Sequence, residues 1–118
     1  MKWKGCDAGM VYKNRYNRNM NTLSPEENAR LKEFRVFIAG CGGLGGFLVE
    51  ELGRLGVGSL TCVDGDVFEE SNLNRQLLST EGLLGTPKAQ AAALRMEAVN
   101  SEVKVKAITA FIGEENCR

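Results

Sequence analysis

Apolar residues along this chain fall into three short runs and two longer helical patterns. RVFIA (35–39) and SLTCVD (59–64) are continuous and rich in β-branched and other apolar residues. Runs of that length and composition predict strands buried on both faces, as in a parallel sheet. VKVKAITAF (103–111) alternates and predicts a third strand. Between the first two, GFLVEELGRLG places Phe47, Leu48, Leu52 and Leu55 at helical spacing, with Gly56 and Gly58 closing the pattern. TPKAQAAALRMEAVN (86–100) predicts a second long helix, with Thr86 as its cap and Pro87 in its first position. Ser24-Pro25-Glu26-Glu27 starts a shorter helix that should end near Glu33, because the serine can cap it and Glu27 completes an S-x-x-E box.

The predicted order is helix, β, α, β, long polar connection (65–85), α, β. Strands that alternate with helices pair in parallel through right-handed crossovers. The expected fold is α/β, the N-terminal half of a doubly wound sheet: three parallel strands with flanking helices, Arg35–Ala39 lying nearest the middle. Residues 1–23 lack apolar periodicity and read as an irregular arm with room for a short helix. The domain proper is expected over 24–118, and the chain's length suits a single domain.

Composition changes this picture little. It is that of a soluble globular protein, without an apolar stretch of membrane-spanning length or a signal-peptide pattern, which places the expectation in the cytoplasm. Net charge is zero, so there is no general reason to expect nucleic acid or an anionic membrane as partner. The charge is uneven, however: Lys2, Lys4, Lys13, Arg15 and Arg18 face a single Asp7 in the first 18 residues. Cysteines at 6, 41, 62 and 117 form no C-x-x-C pair, and the chain has no histidine, so neither a zinc site nor a disulfide is expected. Cys62 and Cys41 read as small core residues.

The candidate chemistry begins where the first strand ends. In GCGGLGG (40–46), Gly40, Gly42 and Gly45 form G-x-G-x-x-G between a buried strand and a helix. The first glycine permits a tight turn, the second lets a phosphate approach, and the third allows close helix–strand packing. N–H groups at the helix start favour an anion there. Asp64 follows Gly45 by 19 residues, at the end of the second strand, where a carboxylate can bind a ribose. A packing turn and a strand-end turn former are the structural alternatives for these two features. At this point the motif is Rossmann-like and admits NAD, FAD or ATP. The connection that follows carries Asp66, Asn72, Asn74, Arg75 and Gln76, and Lys88 opens the next helix. So many phosphate-directed groups suit a triphosphate better than a hydride-transfer site. Lys88 alone is ambiguous between a solvated surface lysine and an anion ligand.

RYNR (15–18), GCGGLGG (40–46), VDGD (63–66), SNLNRQ (71–76) and GTPK (85–88) together closely resemble the ThiF–MoeB–HesA family, relatives of ubiquitin-activating enzymes. The resemblance spans roughly residues 15 to 112. It implies binding of ATP with Mg2+ and adenylation of the C-terminal glycine of a ubiquitin-like sulfur-carrier protein ending in Gly-Gly. By the resemblance, Gly40, Gly42, Gly43 and Gly45 form the nucleotide loop and Asp64 the ribose ligand. Asp66, Asn72, Arg75, Gln76 and Lys88 surround the phosphates. Arg18 is similar to an arginine that reaches into a partner subunit's site, so the resemblance implies a homodimer, with Arg18, Arg75 and Lys88 as the groups acting on the reacting phosphates.

The resemblance also implies groups past residue 118: an aspartate that helps to hold magnesium, zinc and catalytic cysteines in some members, and most of the carrier-docking surface. The chain is therefore expected to be an N-terminal portion or a truncated relative, with an apolar strand edge prone to dimerisation or poor solubility. Two other readings stand beside the enzyme: an ATP-binding module without complete chemistry, and half of a dinucleotide oxidoreductase. Within the family, activation of a small molecule or a modified tRNA base is a further option.

Overall fold

The computed structural model describes residues 14–117. Strands β1 (Arg35–Ala39), β2 (Ser59–Val63) and β3 (Lys104–Ile108) alternate with helices α2 (Gly45–Leu55) and α3 (Lys88–Val99), after a short α1 (Pro25–Arg30). All pairing is parallel, and β2 lies between β1 and β3, with Ile38 level with Cys62 and Cys62 with Ala107. The expected half of a doubly wound sheet is thus present. Two successive right-handed crossovers in one direction leave both helices on the same face. The core lies there: Ile38, Leu60 and Cys62 from the sheet against Val49 of α2 and Ala91, Ala92 and Met96 of α3.

The other face differs from expectation. Arg35, Phe37, Thr61, Lys104 and Lys106 occupy it, none is buried, and Phe37 is 58% exposed. RVFIA is therefore buried on one side only among the described residues, since both crossover helices cover the opposite side. The outer edge of β1 has no partner strand among them, so β2 is the middle strand of the three.

Pattern and structure also part company on α2. Its buried residues are Gly46, Val49, Glu50 and Gly53, whereas Phe47 and Leu48 face outward. Close approach decides this. A Cβ at Gly53 would overlap the Met96 side chain, and one at Gly46 would lie 3.2 Å from Leu78. Small residues let the neighbours in, so the larger apolar ones turn away.

Local signals are realised at α1, where Ser24 Oγ accepts from the Glu27 N–H at 3.1 Å and Glu27 Oε2 accepts from the Ser24 N–H at 2.9 Å. A 3-10 turn, Leu31–Glu33, then ends the helical stretch where expected. At α3 the expected cap is not used: the helix starts at Lys88, Pro87 stands in the cap position, and no side chain caps it. Thr86 instead accepts the Phe68 N–H at 3.0 Å, and Val67 bridges to Pro87 in antiparallel fashion. That pairing keeps residues 85–87 extended, so the helix begins one residue later. The same pairing pins the two ends of the long connection together.

Residues 14–23 pack against the C-terminal ends of α2 and α3, with a 3-10 turn over Asn17–Asn21. The arm's basic residues Lys2, Lys4 and Lys13 lie outside the described residues, as does Cys6.

Candidate nucleotide site

The glycine turn sits at the C-terminal end of β1. Gly40 has φ +91°, a conformation that a side chain disfavours, and its N–H extends the ladder to Val63 O at 2.7 Å. A Cβ at Gly45 would collide with the Gly40 carbonyl oxygen, so the third glycine is required by the closeness of turn and helix. Among the described residues nothing stands within 4 Å of where a Cβ of Gly43 would be, and the atoms nearest to one at Gly42 belong to the Gln76 side chain, at 3.6 Å. The backbone of the turn is thus approachable from outside. No side chain caps the N-terminus of α2, which leaves its first N–H groups for an anion.

Asp64 braces this turn. Its Oδ2 accepts the Cys41 N–H and its Oδ1 the Asp66 N–H, both at 2.8 Å. The carboxylate is therefore a structural strut, and its remaining lone pairs are what it can offer a ligand. Asp66 itself is exposed, and its carbonyl accepts the Lys88 N–H at 3.0 Å. A chain of hydrogen bonds, two of them to the Asp64 carboxylate, thus runs from the glycine turn through Asp64 and Asp66 to Lys88. It places the start of α3 beside the turn.

Lys88 is only 8% exposed, so it is no solvated surface lysine. Among the described residues its ammonium has no carboxylate partner, and it lies 5.6 Å from the centroid of the buried Phe68 ring. A largely buried lysine without a counter-ion is a place where an anion is favoured. Gln76 adds a second unfinished group: 6% exposed, it leaves its Oε1 buried without a hydrogen-bond partner beside Gly42.

The other expected residues are engaged or distant. Asn72 is buried, and its Oδ1 accepts the Glu69 N–H at 2.9 Å, capping its own 3-10 turn. Arg75 is exposed, with Nη1 donating to Ser71 O at 2.8 Å and to Asn74 Oδ1 at 3.1 Å. Arg18 is exposed near the far end of α2, about 16 Å of helix away from the glycine turn. It does not join its own chain's turn. Cys41 and Cys62 are fully buried and unbridged. Hydrogen bonding toward the Cys62 sulfur, reinforced by burial, pushes the Cys41 thiol up, so it stays protonated and is a poor nucleophile.

Two features escaped the sequence reading. Glu50 is buried between α2 and α3 and pairs with Arg95 at 2.7 Å and Arg54 at 2.9 Å. Arg95, then Arg54, holds its carboxyl below the usual range. A cavity of about 510 Å³ lies at the other end of the sheet, bordered by Tyr16, Phe34, Gly58 and Glu102, and gathers none of the glycine-turn residues. Among the described residues no three histidine, cysteine or carboxylate groups converge as a metal centre. Nor is any described helix long and apolar enough to cross a membrane.

The ThiF family model matches residues 16–118, covering the arm's last turn, the glycine turn and the whole sheet. This chain belongs to the ThiF family. The SAMP-activating enzyme E1 of Haloferax volcanii is 40% identical over 104 residues, which are 86% of this chain and 38% of that protein. The sulfur carrier protein ThiS adenylyltransferase of Bacillus subtilis is 42% identical over 96 residues, 80% of this chain and 29% of that one. The crystal structure of Escherichia coli tRNA N6-threonylcarbamoyladenosine dehydratase in complex with ATP superposes with a TM-score of 0.85 at 26% identity, over 89% of this chain and 43% of that one. The Rossmann-like fold is shared with that structure. The chain of this ThiF-family protein thus spans about two fifths or less of each of these relatives.

Proposed function

We propose that this chain provides the ATP-binding part of an adenylyltransferase that activates the C-terminal glycine of a ubiquitin-like sulfur-carrier protein, in thiamine, molybdopterin or related sulfur transfer. The observation that carries the reading is Lys88, buried beside an uncapped glycine turn with no carboxylate partner among the described residues. Gln76 and the open backbone at Gly42 and Gly43 fit the same anion. Adenylyltransferases and an ATP complex among the relatives favour ATP over a dinucleotide.

In this reading a carrier carboxylate oxygen attacks the α-phosphorus, the α–β bridging P–O bond breaks, and pyrophosphate leaves. Catalysis is positioning and charge neutralisation by Lys88, Arg75 and the α2 N-terminus. Mg2+ would accompany the triphosphate, with the exposed carboxylate of Asp66 as one ligand and further ligands drawn from outside the described residues. In this reading Arg18 serves a second copy in a cytoplasmic homodimer, and its place a helix length from its own glycine turn is compatible with that role.

A second reading keeps the ATP part and replaces the carrier with a modified tRNA base, favoured by the superposition on the tRNA dehydratase. ATP–pyrophosphate exchange separates the two. Exchange that requires a carrier ending in Gly-Gly supports the first, and exchange that requires tRNA supports the second. Absence of any ATP-induced thermal shift at millimolar ATP would sink both.

A further inference from the structure

The family match and the glycine turn leave unexplained why residues 14–22 are held so firmly so far from the nucleotide site. Asn19 Nδ2 donates to Leu55 O and to Asn28 Oδ1, each at 2.9 Å. Tyr16 Oη donates to Glu102 Oε2 at 2.9 Å and accepts from Asn100 Nδ2 at 2.8 Å. Asn100, 1% exposed, also donates to Gly53 O at 2.8 Å. Arg15 Nη1 reaches Val99 O at 3.5 Å. The receiving carbonyls belong to the last turns of α2 and α3, which a helix leaves without internal partners. Gly56, at φ +102°, completes the seat: a Cβ there would lie 2.7 Å from the Tyr16 ring.

Arg18 sits between these anchors, two residues after Tyr16 and one before Asn19, on the Asn17–Asn21 turn. Its own side chain is exposed and, among the described residues, has no hydrogen-bond or ion-pair partner. The chain around Arg18 is therefore tied down on both sides while Arg18 itself is left out.

We propose that Tyr16 and Asn19 are positioning residues for Arg18, and that with Asn100 they fix the Asn17–Asn21 turn so that Arg18 is preorganised to meet the phosphates bound by a second copy. The proposal rests on the ATP reading above. Its benefit is that the ordering cost of the segment is met on folding and not again when phosphate arrives.

The test uses Tyr16→Phe, which keeps the ring on Gly56 and removes only the hydroxyl, and Asn19→Ala. Amide hydrogen exchange over residues 17–22 should rise in both variants, with the sheet amides unchanged. ATP affinity, measured by titration at protein concentrations where the chain self-associates, should fall about tenfold for Arg18→Ala, the scale of one charge-assisted contact. Each anchor variant should cost about three- to fivefold, and neither should cost anything further in the Arg18→Ala background. Equal losses with and without Arg18 would show that the anchors act on stability alone and overturn the proposal. Unchanged amide protection would overturn it independently of nucleotide. A wild-type chain that binds no ATP removes the reading it rests on and the proposal with it, even where the protection changes appear.

Discussion

The two ends of the sheet treat buried polar groups in opposite ways. At the end near residue 56, Asn100, Tyr16, Asn19 and Glu102 satisfy one another and the helix carbonyls. At the glycine-turn end, Lys88 has no carboxylate partner and Gln76 Oε1 no donor among the described residues. Each end buries polar side chains, Asn100 at one and Lys88 and Gln76 at the other, so burial alone does not mark a site. What separates them is completeness. A finished network stabilises the fold, while an unfinished one bears a standing cost that only a ligand relieves.

This contrast can be broken by substitution. Asn100→Ala removes a buried amide from the finished end and should destabilise the chain by about 2 kcal/mol, measured by urea unfolding. A loss below about 0.5 kcal/mol would deny that network its structural role. Glu50→Gln tests a third, intermediate case, a buried carboxylate with two half-exposed arginine partners. The Glu50 carboxyl is depressed in the folded protein, so the stability it contributes is present above the unfolded glutamate pKa and is lost as pH falls through the folded value. Wild-type and variant curves should therefore converge in acid, once pH has fallen through the depressed folded value, and separate by about 1 kcal/mol near neutrality. Parallel curves at all pH would show that Glu50 titrates as it does unfolded. The smallest expected effect is at the unfinished end. Lys88→Met should change stability without ligand by less than about 1 kcal/mol, or raise it, because it removes a largely buried lysine that has no carboxylate partner among the described residues. It should nevertheless abolish stabilisation by ATP, which for wild type at 100 times Kd is about 2.7 kcal/mol. A strongly destabilised Lys88→Met whose ATP response survives would reverse the assignment of the two ends.

Much of the fold was legible because its signals are local. Ser24 and Glu27 lie within one turn, and Gly40, Gly42 and Gly45 within one loop. The inner face of α2 was not, because Gly46 and Gly53 carry no hydrophobic signal and matter only through Met96 and Leu78, which arrive from elsewhere in the chain. At the site, the identities of Lys88 and Gln76 were readable, but their lack of partners was not, since that depends on every other element. Long-range ties explain the remainder. Glu50 and Arg95 are 45 positions apart, and Tyr16 and Asn100 are 84. No window of sequence contains both members of either pair.

The Tyr16–Asn100 tie has a kinetic side. In an open chain, joining residues 84 positions apart is a costly loop closure, and contacts of that span slow folding. Once β1, β2 and β3 have paired, the ends of α2 and α3 are already together, and the remaining loop is the short stretch from Leu23 to β1. Arm docking is then a late and inexpensive event that requires everything before it. A probe attached near Arg18 would report completion of the whole domain, and a chain with a defective sheet would not present that arginine at all.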